Sequence, residues 1–235
     1  MGLSLDSKGC LYETRGPLSL PTCPSEDLVS LEDLLSTSPE DKKRRPLTDE
    51  ERYLLAVTLA SSLLQLHTTP WLGGHWRKQH ILFSEALDGD ATVVDIHHPV
   101  ISQTYGCAAE ECEKALLKGM KPFDHLMQDS ASLLALAKIL LEIKLNDRFE
   151  RQRHEKTGAE TELNEASDIQ TLMQWMTEEK GNLSFTYRDV VSHCIKCSVD
   201  PSMDLRDLVF RQSLVDKIVV PLLEELHYWQ GGIGR

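Results

Sequence analysis

The sequence predicts a mainly α-helical domain with a few short β-strands. Three observations lead there. A polar start at Thr48 opens an amphipathic stretch that runs to about Leu66. In Ser130–Lys144 the apolar set Leu133, Leu134, Leu136, Ala137, Leu140 and Leu141 covers most of a helix circumference, so this helix is expected to be central and buried. The C-terminal third carries three more helical patterns, at Asp168–Glu179, Tyr187–Lys196 and Leu205–Tyr228, the last kinked near Pro221.

Residues 1–27 are punctuated by Gly9, Gly16, Pro17, Pro21 and Pro24, with a short strand at Gly9–Tyr12. Val29–Leu35 follows as a helix with Ser30 as N-cap and Asp33 three residues on. Residues 36–46, which include Lys42-Lys43-Arg44-Arg45, form a polar linker. Thr48 then caps the second helix with Glu51 as its partner, placing Leu54, Val57, Thr58, Ala60, Ser61 and Leu64 on or near one face. Residues 68–90 read as loop apart from Ile81-Leu82-Phe83, and Ala91–Asp95 as a β-branched strand. A short helix is expected at Ala108–Lys118. The charged segment 146–165 is expected to be mobile, and the glycine-rich tail from Gly231 to fray.

A net charge of -12 opposes general nucleic-acid binding, which needs a basic footprint, and docking on anionic lipid. The Lys42–Arg45 run reads as solvated linker, with nuclear import as the alternative. No apolar run reaches the roughly 18 residues of a membrane span. Met1-Gly2-Leu3-Ser4 leads into polar residues, so no signal peptide is expected, and Asp6 does not fit a myristoylation signal. Sparse, irregularly spaced cysteines read as reduced thiols, which points to a cytoplasmic protein.

Three segments together resemble the C-terminal lobe of protein kinases. The apolar helix ends in Leu66-His67, and 13 residues intervene before Ile81-Leu82. Leu134-Ala135-Leu136-Ala137-Lys138-Ile139-Leu140-Leu141-Glu142-Ile143 is similar to the kinase central helix. Tyr187–Val191 through Cys194–Cys197 is similar to a late kinase helix. More narrowly, Leu59–Leu72 resembles a phrase of a fungal family of degenerate kinase-like domains, often found with HeLo-type prion-inhibition and propagation domains. The resemblance implies a C-lobe-like helical bundle with a truncated or missing N-lobe. Residues 1–45 would be a residual hinge or N-lobe strand, a short helix and a basic linker, and residues 46–235 the helical domain.

Phosphoryl transfer needs oxygen-bound magnesium, a lysine on the phosphates and an aspartate near the attacking hydroxyl. The resemblance implies that His75 stands at the catalytic Asp position and His80 at the magnesium-binding Asn position. Neutral imidazoles are poor magnesium ligands. Asp95-Ile96-His97 falls at the Asp-Phe-Gly position, which makes Asp95 a weak metal candidate. Ser132 corresponds to the buried Asp that anchors the catalytic loop. No glycine-rich nucleotide loop occurs.

Outside that frame, Cys194-x-x-Cys197 beside His193 admits a zinc reading, with Cys107 and Cys112 as a second pair, although two buried thiols on one helix face explain the spacing better. Trp71 and Trp76 lie in a glycine-flanked loop. Trp71 reads first as a plug of the former cleft. Trp76, Arg77 and Lys78 read equally as plug or as partner-binding anchors, since Trp and Arg are favoured at hot spots. The expectation is therefore a catalytically inactive interaction or regulatory module with a protein partner and no cofactor. By association of domain architecture, its setting would be fungal self/non-self recognition or regulated cell death. The alternatives are a divergent nucleotide-binding phosphotransferase using Asp95 with Arg77 and Lys78, and a zinc-stabilised adaptor.

Overall fold

A computed structural model describes residues 2–5, 11–14, 28–36, 45–67, 77–88, 91–102, 122–157 and 164–231. Strands β1 (Gly2–Leu5) and β2 (Leu11–Thr14) pair antiparallel. A second antiparallel sheet is built on β4 (Ile81–Asp88). Its first half pairs with β3 (Leu28–Ser30) and β6 (Val100–Ile101), and its second half with β5 (Ala91–Val94). Ile81 and Phe83 are buried while Ser84 is exposed, the alternation expected when one face meets a core.

The strand at Ile81–Phe83 is thus longer than its sequence signal. Glu85 and Asp88 hide the extension, because acidic residues are depleted in strands. The register Asp88↔Ala91 closes a hairpin, and the sequence between the paired residues, Gly89-Asp90, is a hairpin cue.

Helix α1 spans Leu31–Leu34, and the Ser30 side chain accepts from the Asp33 amide as expected, although the residues before Leu31 are strand. Helix α2 spans Asp49–Leu66 with the full capping box: Thr48 Oγ1 accepts from the Glu51 amide, and the Thr48 amide donates to Glu51 Oε2 at 2.8 Å. Its buried residues are Tyr53, Leu55, Ala56, Leu59, Ala60, Leu63 and Leu64. That stripe is rotated from the predicted face, leaving Leu54 and Val57 half-buried, because two neighbouring helices rather than one press on α2.

Glu51 also receives both guanidinium nitrogens of Arg45. The Arg45 guanidinium, against the opposing effect of burial and with help from the Thr48 amide, holds the Glu51 carboxyl down to about 2. A lowered folded-state value means stability that is present at neutral pH and lost as the pH falls toward 2. Glu51→Gln keeps the capping geometry but not the charge. It is expected to cost about 1 kcal/mol at neutral pH, since Arg45 is largely exposed and screened. Melting curves of the two proteins should converge by about pH 2.

Helix α3 (Pro122–Leu145) extends earlier than its sequence signal. It is central as expected, packing against α2, α4 (Phe149–Thr157), α5 (Glu165–Glu178) and α6 (Phe185–Ser198). Asn146 at φ 52 terminates α3 in the left-handed conformation that asparagine tolerates. The Tyr187 hydroxyl donates to the Leu140 carbonyl at 2.7 Å, fixing α6 on α3.

Segment 146–165 contains α4, contrary to the expectation of a mobile stretch. Its charge suggests disorder, but one buried aromatic, Phe149, anchors it, and Glu142 of α3 accepts the Phe149 amide at 2.8 Å. The last predicted helix divides into α7 (Leu208–Leu214), a π-helical turn Val215–Val219 and α8 (Val220–Trp229). Val220 donates to the Val215 carbonyl, so the wide turn lies just before Pro221, whose ring cannot continue regular bonding. The expected helix at Ala108–Lys118 and the tail beyond Gly231 lie outside the described residues.

Candidate functional site

The turn after the first long helix is where the sequence concentrates its candidates. Trp71, His75 and Trp76 lie outside the described residues. Arg77 is exposed and opens a 3-10 turn, Lys78–His80. His80 is half-buried. Its amide donates to the Arg77 carbonyl and its carbonyl accepts from Ser102 at 2.8 Å, so its backbone ties the turn to the end of β6.

Lys78, read from the sequence equally as plug or as partner-binding anchor, lies largely inside the fold. Its ammonium turns inward, 2.7 Å from Glu142 Oε1 and 3.3 Å from Glu150 Oε2, and its side chain is mostly buried. The Glu142 side chain is wholly buried. Burial pushes the Glu142 carboxyl up, against the pull of Lys78. Burial alone would lower Lys78, but the Glu142 and Glu150 carboxylates outweigh it and hold the ammonium up. Burial opposes the ionised form of Glu150 too, and Lys78 overcomes it to hold that carboxyl down. One ammonium thus serves two carboxylates from two helices.

This pair forms part of the wall of a pocket of about 230 Å³, bounded by the Lys78–His80 turn, α3, α4 and Glu32 of α1. Lys138 reaches the first turn of α5: its ammonium bonds Asp168 and stands 4.8 Å from the centre of the Phe149 ring.

Asp95 continues from β5 and is partly exposed. Oδ1 accepts from the His97 amide at 3.0 Å and Oδ2 lies 2.9 Å from His98 Nδ1. The His98 contact, chiefly, holds its carboxyl below the usual aspartate range. Both oxygens are therefore engaged locally.

Near the start of α3 the buried acid is Asp129, not the residue at the position the kinase resemblance assigns. Ser132 donates to the Gln128 carbonyl of its own helix. Asp129, one turn earlier, accepts the Leu205 amide at 3.0 Å through Oδ2, and its Oδ1 lies 2.9 Å from Nε2 of the buried His67. Neither Asp129 nor Glu142 stood out as a site from the sequence. The signal was there for Glu142, a lone acid inside Ile139–Ile143, where a buried charge requires a partner.

Cys194 and Cys197 are both buried on α6, with Cys197 Sγ 3.6 Å from His193 Nε2. Burial pushes both thiols up, away from the thiolate form that zinc requires. Cys107 and Cys112 lie outside the described residues, among which no group of three His, Cys, Asp or Glu side chains could hold a metal.

Fold and pocket define a mainly helical domain with a small antiparallel sheet and a cleft in which Lys78 is paired with Glu142 and Glu150. No helix among the described residues is long and apolar enough to cross a membrane. The chain belongs to the family described as Domain of unknown function (DUF7580), which matches residues 1–229. No curated protein and no solved structure matches it.

Proposed function

We propose that this domain is a catalytically inactive, kinase C-lobe-like interaction or regulatory module. The observation that carries the reading is the internal neutralisation of Lys78 by Glu142 and Glu150. A phosphate-binding lysine must offer its charge to the nucleotide, and this one is committed to two carboxylates. Asp95, the remaining candidate for holding magnesium, is committed to His98 and the His97 amide. The order of elements also supports kinase ancestry: α2 ending in Leu66-His67, a turn, the β4–β5 hairpin, then a buried central helix packed by α6. Partner recognition falls to protein surfaces near Arg77, in a cytoplasmic setting.

The rival is a phosphotransferase using Asp95. Thermal melting with ATP and magnesium separates the two. The proposed module shows no saturable rise in Tm, whereas a nucleotide at a hundred times its Kd adds about 2.7 kcal/mol. A rise that disappears in Asp95→Ala would establish the rival.

A further inference from the structure

An arginine held in place by main-chain carbonyls, with no acid of its own, is a ready receptor for a carboxylate. Its planar donors match the two oxygens, and little freedom is lost on pairing. Arg52 of α2 meets that description. Its Nε donates to the Leu47 carbonyl at 3.2 Å and its Nη1 to the Lys144 carbonyl at 2.9 Å. Among the described residues Nη2 has no acceptor and no carboxylate pairs with this guanidinium, which is partly exposed. Arg52 lines a second pocket, of about 340 Å³, between α2, the end of α3 and the turn that joins α5 to α6. The other cation there, Lys144, is already engaged: its side chain is 9% exposed and its ammonium lies 2.9 Å from Asp49 Oδ1. Of the remaining acids, Asp147 accepts from the Arg148 amide on one oxygen and from the Gln152 side chain on the other. Glu179, partly exposed, uses only Oε2, which accepts from Asn182 Nδ2 at 2.6 Å, and Oε1 has no partner among the described residues. The pocket therefore keeps an unpaired cationic edge and an unpaired anionic one, with the buried Trp175 and Leu145 as its apolar lining.

We propose that this pocket binds a free α-amino acid with an apolar side chain. The carboxylate pairs with the Arg52 guanidinium, the ammonium with Glu179, and the side chain lies against Trp175 and Leu145. Charge selects a ligand of both signs. A simple anion would face Asp49, Asp147 and Glu179, and a simple cation would face Arg52 and Lys144, whereas a zwitterion meets an opposite charge at each end. The volume lies just above the roughly 300 Å³ at which small-molecule sites begin, which suits a ligand of this size. The site is separate from the Lys78 pocket and does not rest on the kinase-like reading. A ligand there would tie α2 to the turn between α5 and α6.

L-Phenylalanine, 3-phenylpropionate and phenethylamine test the proposal, because they share a body and differ in the charges they carry. Amide NMR spectra of the full chain report on the site through the Asn182 side chain, which donates to Glu179. L-Phenylalanine is expected to shift the Asn182 signals saturably in the millimolar range. Each single-charge analogue should bind at least about tenfold more weakly, the scale of one lost hydrogen bond to a charged group. Glu179→Gln keeps an acceptor for Asn182 but loses the charge, so L-phenylalanine should fall to the level of 3-phenylpropionate. Arg52→Lys keeps the charge but not the planar fork. It should weaken L-phenylalanine and 3-phenylpropionate together and leave phenethylamine unchanged. Cooperative melting shows that each variant folds, and if Arg52→Lys does not, Glu179→Gln at the partly exposed end of α5 decides alone. Equal binding of the three probes by the wild type, L-phenylalanine binding that survives Glu179→Gln undiminished, or no saturable response to L-phenylalanine would each overturn the proposal.

Discussion

Replacing Lys78 with methionine is expected to destabilise the domain by about 3–5 kcal/mol, the cost of leaving a buried carboxylate without its partner. The Lys78 side chain is 16% exposed and that of Glu142 is 0% exposed, so water cannot take over the role of the ammonium. The ion pair also joins the Lys78–His80 turn to α3 and, through Glu150, to α4. Two controls separate lost charge from lost packing. Lys78→Met with Glu142→Gln removes both charges but keeps an acceptor for the Phe149 amide, so the double variant should be more stable than Lys78→Met alone. The defect should also depend on pH. Burial already raises the Glu142 carboxyl, and removing Lys78 raises it further. A carboxyl whose folded-state value is raised adds its penalty as the pH climbs above its unfolded value, and the penalty disappears below that value. The gap between Lys78→Met and wild type should therefore be widest near neutrality and narrow toward roughly pH 4. Urea denaturation across that range measures it. A gap that is constant with pH would show that the loss lies in packing of the lysine stem.

The same pair shows what the sequence could reveal. The Thr48–Glu51 capping box and the Ser30 cap were legible because each is complete within four residues. Helix α3 was legible because its apolar residues run round the whole helix. Lys78 and Glu142 are 64 residues apart and Asp129 and Leu205 are 76 apart, and no local pattern joins them. Lys78 thus read equally as plug or anchor, and of the Arg77-Lys78 pair it is Arg77 that faces solvent. Helix α4 was missed for a related reason. Composition averaged over 146–165 hides a single aromatic, and the acceptor that holds the first turn of α4 lies on a different helix. Short-range chemistry specified the ends of elements, whereas the polar contacts that assemble the pocket arise only once α3 is buried.

Asp129→Ala should be the second large perturbation, costing roughly 3 kcal/mol by leaving a buried N–H without its acceptor and removing the close contact to His67. Asp129 is 2% exposed and touches two segments: the end of α2, through His67, and the chain before α7, through the Leu205 amide. Alanine leaves the Leu205 N–H buried without an acceptor. Asparagine retains a carbonyl oxygen for that N–H but not the carboxylate charge beside His67. The expected order of stability is wild type, then Asp129→Asn, then Asp129→Ala. Hydrogen exchange resolves the two contacts: the Leu205 amide should lose protection in the alanine variant and keep most of it in the asparagine variant. This order carries a functional consequence. On the proposed kinase-like reading, a central helix that holds the end of α2 through a buried acid, while Lys78 and Asp95 are paired locally, would combine a retained scaffold with redeployed charges. Equal protection at Leu205 in all three proteins would refute the anchoring role of Asp129 and with it that division between scaffold and chemistry.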